Sequence, residues 1–209
     1  MKIAWIGGAL LTLSGVADAH EVWVERDGAG PVRIYLGEPA EVAPAGGDPE
    51  FANLKAPTVL ARKATPLMRK AGYLETTAAA GDVRVWDDNV FAPWGDAGKQ
   101  EGVIYYARAG RAEPRAKLSF EIVPSSKGSN QFIVKRDGRP VPGAKVTVVS
   151  PARVSTEVVA DAKGAFDQRF GLSGRYLLSA SAKDVGEHKL PRGTVTTVHR
   201  ITTTTFVVP

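Results

Sequence analysis

The chain has no cysteine. No disulfide can form, no thiolate can bind a metal or act as a nucleophile, and no cysteine-linked lipid can anchor the protein. Histidine is nearly as scarce, with only His20, His188 and His199 in 209 residues. Runs of like charge are missing too. The net charge of +5 is spread along the chain, so no partner nucleic acid and no membrane-surface patch is expected. Beyond the first sixteen or so residues no long apolar run occurs, so the mature chain is expected to carry no membrane span. There is no Gly-x-Ser-x-Gly elbow, no phosphate-cradling glycine loop and no His-Glu-x-x-His. No catalytic residue is assigned, and the expectation is a protein that is not an enzyme.

What is present starts at the N-terminus. Lys2 precedes an apolar run from Ile3 to Val16, shorter than the roughly 20 residues a membrane helix needs. That run has the length of a signal-peptide core, and Ala17-Asp18-Ala19 supplies the small-x-small cleavage site. Residues 1–19 are therefore expected to be a signal peptide, and the mature protein to be periplasmic. Cleavage after Ala19 makes His20 residue one. A terminal histidine carries an imidazole and a free α-amine on one carbon skeleton. That amine has an ordinary pKa of about 7.7–8.0 and loses its proton far more readily than a lysine does. The two nitrogens can chelate one ion, and nitrogen ligands suit copper, nickel, cobalt and zinc.

The mature chain is rich in short strand signals. Glu21 to Glu25 and Val32 to Leu36 alternate polar and apolar residues around the turn Arg26-Asp27-Gly28-Ala29-Gly30, the period of half-buried strands. Residues 40–53 read as a loop rich in proline, glycine and alanine. Strands are expected at 58–61, 73–76, 83–86, 103–107 and 116–123. The polar stretch Ser125 to Asn130 marks an expected boundary between a β domain at 20–124 and a second at 125–209. In the second part, turn-then-strand signals occur at 137–148, 161–166 and 174–180. A closing segment, Val195 to Val208, is dense in threonine and valine. The fold class expected is all-β: two β-sandwich-like domains, the C-terminal one immunoglobulin-like or prealbumin-like.

Two resemblances follow from particular residues. Gly138-x-Pro140-Val141-x-Gly143-Ala144-x-Val146, Asp161-x-x-Gly164 and Gly174-x-Tyr176 resemble the carboxypeptidase-regulatory-like β-sandwich module. That likeness implies a fold and says little of function. The mature start His20-Glu21-Val22-Trp23, the order of a β domain followed by this sandwich, and the ending His199-Arg200-Ile201-Thr202-Thr203-Thr204-Thr205-Phe206 resemble the family called domain of unknown function 4198. This resemblance implies a periplasmic component of a cobalt or nickel uptake system. Members often carry a further histidine after the second strand, where this chain has Val42-Ala43-Pro44-Ala45-Gly46-Gly47.

The candidate metal ligands are His20, His199 and His188. The amine and imidazole of His20 plus one more imidazole would form a three-nitrogen, T-shaped site, the histidine brace known for copper. His199, in the long final strand, is the better partner. It could equally be a strand residue with a satisfied hydrogen bond, and His188, in the polar stretch 186–191, could simply face solvent. Convergence of all three would make nickel, cobalt or zinc as plausible as copper. Carboxylates at Glu21, Glu25, Asp87 and Asp88 would shift preference towards harder ions, including iron. Asp87-Asp88 also fits ordinary turn chemistry. Trp86, Phe91 and Trp94 form either a small core under a loop or a platform for a metal chelate or a sugar. Three functions follow in order: a periplasmic transition-metal binder supporting uptake or handling; an accessory module for a membrane transporter or receptor; a copper monooxygenase.

Overall fold

The computed structural model describes residues 20–209; the expected signal segment and its cleavage site lie outside them. The chain is all-β and sandwich-like. Its strands are β1 (Glu21–Arg26), β2 (Val32–Gly37), β3 (Thr58–Leu60), β4 (Met68–Lys70), β5 (Tyr73–Thr76), β6 (Val83–Asp87), β7 (Glu101–Ala109), β8 (Phe120–Pro124), β9 (Gln131–Arg136), β10 (Arg139–Pro140), β11 (Lys145–Val149), β12 (Ser155–Val159), β13 (Ala165–Asp167), β14 (Gly174–Leu190) and β15 (Gly193–Val208). No helix among the described residues is long and apolar enough to cross a membrane.

Three sheets result. A central seven-stranded sheet has the order β12-β11-β14-β15-β7-β6-β3. One four-stranded sheet, β1-β2-β5-β4, packs on one face, and β8, β9, β10 and β13 make a smaller sheet on the other. Alternation along β7 divides the interior: Tyr105 enters the core shared with β1 and β2, and Tyr106 the core shared with β8 and β9. Residues 125–130, where the composition marks a boundary, form the turn between β8 and β9, closed by Ser125 N–H donating to Gln131 O at 2.8 Å. The central sheet draws strands from both sides of that turn, because β7 pairs in parallel with β15 from Glu101↔Thr197 to Ala109↔Thr205.

The threonine-rich ending explains how the layers hold together. Thr202 to Thr205 are fully buried in the middle of the central sheet. The flanking sheets meet it with edge strands, whose outward carbonyls lack a neighbouring strand. Thr203 Oγ1 donates to Val22 O of β1 at 2.7 Å, Thr205 Oγ1 to Val24 O, and Thr204 Oγ1 to Ile122 O of β8 at 2.8 Å. One strand thus satisfies carbonyls on both of its faces, and β1 is fixed in place just after His20.

Candidate metal centre

His20 immediately precedes β1. Its Nε2 lies 3.1 Å from Asp48 Oδ1. Asp48 is placed by local rules: it caps a short 3₁₀ helix, Pro49–Asn53, and the same Oδ1 accepts Glu50 N–H at 2.7 Å. The loop that carries it back from β2 is pinned by a glycine contact. A Cβ on Gly47 would lie 2.2 Å from Gly72 Cα, and both glycines hold positive φ (94° and 84°). Glu21, the next residue, accepts from Ser179 Oγ of β14. His20 remains 29% exposed beside this frame, and Asp48 16%, so an ion in solution can reach the imidazole.

His199 stands elsewhere. On β15 it lies between Lys183 of β14 and Val103 of β7. Its Nε2 is 2.5 Å from Glu101 Oε2, and the Trp94 indole stacks on its ring at 5.8 Å. Trp94 is itself tied to Glu101 by two backbone hydrogen bonds, of 3.0 and 2.8 Å. Lys183 Nζ reaches the other Glu101 oxygen at 3.4 Å. The hydrogen bond from His199 holds the Glu101 carboxyl below its usual range, with Lys183 adding to the effect.

His188 departs from the expected loop position. Residues 186–190 belong to β14, where His188 pairs with Val195 after an irregularity that begins at Val185. Cross-strand pairing with β15 outweighs the turn signals of Gly186 and Pro191. The ring is partly shielded, and its Nε2 is buried without a hydrogen-bond partner among the described residues. His188 and His199 do not meet: their rungs on β15, at Val195 and His199, are about 13 Å apart at roughly 3.3 Å per residue.

The structure therefore gives each histidine its own surroundings, and among the described residues no three His, Asp or Glu side chains gather as a metal cluster. Of the other candidate carboxylates, Glu21, Glu25 and Asp87 are engaged. Glu25 accepts from Trp23 Nε1 at 3.1 Å and pairs with Arg175 at 3.4 Å. Asp87 accepts Asn89 N–H at 2.8 Å, and burial raises its pKa. The trio of rings divides as well: Trp86 packs on one core, Phe91 on the other, and Trp94 on His199. The residues that sequence reasoning missed are the partner carboxylates. Asp48-Pro49-Glu50 carries a visible capping signal, whereas nothing near Glu101 in the chain points to His199, 98 residues away. Compared with known proteins, the chain matches no family model, no curated protein and no solved structure.

Proposed function

We propose that the protein is an exported, periplasmic binder of a transition-metal ion (nickel, cobalt or copper) that holds the ion at His20 and supports its uptake or handling. The observation that carries this reading is the contact from His20 Nε2 to Asp48 Oδ1. A carboxylate can only accept, so Nε2 is the donor, and Nδ1 of the neutral ring keeps its lone pair. Orienting a ligand histidine through a carboxylate on its far nitrogen is the usual second layer of a metal site. Nδ1 and the α-amine freed by cleavage then close a six-membered chelate on one ion. Asp48, held by Glu50 N–H, sets the ring's orientation before the ion arrives. Two protein nitrogens leave coordination positions open to other ligands, which suits an ion that is passed on. The likeness to a family of nickel and cobalt uptake components supports the same reading.

The test is metal titration of the mature protein, its first residue verified by mass spectrometry, beside a form with one extra N-terminal glycine. The glycine displaces the amine and leaves the imidazole. Tight binding that is lost in the glycine form, and weakened in Asp48→Asn, supports the chelate, and the order of affinities names the ion. Equal, weak binding in both forms removes His20 from the function. An accessory role at a transporter or receptor would then rest on the Trp94–His199 group, where Trp94 is 42% exposed.

A further inference from the structure

A second part of the molecule is shaped to hold a ligand, and no histidine lines it. A cleft of about 570 Å³ opens between the outer face of the β1-β2-β5-β4 sheet, the loop after β2, and the segment that follows β11. That volume falls in the range of about 300–1,000 Å³ typical of small-molecule sites. The strand period places Trp23, Tyr35 and Tyr73 side by side on β1, β2 and β5. Trp23 and Tyr35 stack at 5.2 Å and 12°, and Tyr35 and Tyr73 meet at 5.5 Å and 40°. All three line the cleft, and none belongs to either core. A row of large rings outside both cores calls for another use.

The row has one open end. Tyr35 lies between two rings, and Arg33 lies over Tyr73. Trp23 stands on the edge strand with Tyr35 on one face, and no ring among the described residues covers the other. The bond from its Nε1 to Glu25 fixes the indole. Around it the cleft is polar. Glu25 pairs with Arg175, which also binds Asp27 at 2.5 Å and keeps a buried Nη1 without a partner among the described residues. Glu38, Asp48 and Ser150 line the same space.

These features narrow the ligand. An apolar molecule would strip water from the charged groups without replacing it. An organic cation wants several ring faces about it, and here one is open. An anion would meet Glu25, Glu38 and Asp48. A sugar ring fits: its C–H face packs on an indole, and its hydroxyls donate to carboxylates and accept from a guanidinium. We propose that this cleft binds a neutral saccharide, one pyranose ring stacking on Trp23 with its hydroxyls on Glu25 and Arg175.

Saturation-transfer NMR on the mature protein tests this with glucose, galactose, mannose, N-acetylglucosamine, maltose and cellobiose as probes. The expected result is transfer to the ring C–H protons of at least one of them, with a dissociation constant of about 1 mM or below. Affinity should fall at least about tenfold in Trp23→Ala, persist in Trp23→Phe and be unchanged in His20→Ala, which separates this site from the metal reading. Circular dichroism checks the fold of each variant. If Trp23→Ala does not fold, Glu25→Gln takes its place, with a loss of about fivefold or more expected. No transfer from any probe overturns the proposal. So does transfer that survives in the folded variant, or displacement of the sugar by tetramethylammonium.

Discussion

The two ends of β7 carry ionic groups of opposite character. Near its end, Arg108 lies opposite Arg84 of β6, and Glu121 of β8 binds both, at 2.9 and 2.7 Å. The second Glu121 oxygen accepts the N–H groups of Lys117 and Leu118 at 2.7 and 3.0 Å. Arg108 goes on to Asp82, Gly110 O and Glu113 O. Arg84, Arg108 and Glu121 are essentially inaccessible. At the start of the strand, Glu101 meets His199 and Lys183 with 31–52% of each side chain exposed. The contrast separates two uses of charge. Where burial is complete, Glu121 accepts four hydrogen bonds and every guanidinium nitrogen of Arg84 and Arg108 has a protein acceptor, and the group fastens β6, β7 and β8 together. Where water and ions have access, the same residue types can exchange protons and ligands. On the proposed reading the metal is held by a group of the second kind, His20 beside Asp48.

The comparison breaks most visibly if Glu121 can be replaced cheaply. Glu121→Gln leaves two buried guanidiniums short of a negative charge, and removing one partner of a buried pair costs about 3–5 kcal/mol. Urea unfolding of the variant should show a loss of that size, while Glu101→Gln leaves the midpoint close to that of the parent. Equal midpoints for the two variants would mean that the inner cluster is not a fastener.

A smaller effect tests the threonines that bind the layers. Thr204→Val keeps the shape and orphans the buried Ile122 carbonyl, which costs about 1–3 kcal/mol. Thr202 lies two residues away on the same face of β15, and its buried Oγ1 has no partner among the described residues. Thr202→Val should therefore be neutral or slightly stabilising by the same measurement. A loss in both variants would assign the threonines' value to strand propensity instead of to their hydrogen bonds.

Alternation made much of the fold legible. It separates Tyr105 from Tyr106 and marks β1 and β2, while the density of threonine and valine picks out β15. It fails where strands are exposed on both faces: Met68, Arg69 and Lys70 of β4 show no period, nor do the first three residues of β12. The outer half of β14 was hidden behind Gly186 and Pro191, because its strand character comes from β15 across the hairpin. The parallel pairing of β7 with β15 joins segments remote in the chain, and no local signal encodes it. The site divides in the same way. His20 is singled out by an expected cleavage site, but its carboxylate partner is not, and His199 needs the sheet to find Glu101.

The smallest effect belongs to the open end of β7. The His199 hydrogen bond is the largest influence lowering the Glu101 pKa, so His199→Ala should let that pKa rise towards the ordinary carboxylate value. The sign for stability follows from the depressed folded value. The contribution of Glu101 is complete above its unfolded pKa of about 4.3 and is lost as pH falls through the lower, folded pKa. Removing His199 shrinks that contribution, so the parent's small advantage in stability should be present at neutral pH and vanish in acid, below both pKa values. Carbon-detected NMR of the Glu101 carboxyl across an acid titration reads the shift directly. An unmoved titration curve in His199→Ala would show that the pair is not closed in solution. His199 would then be free to offer its Nε2 to a ligand, whereas Asp48 would still hold the Nε2 of His20.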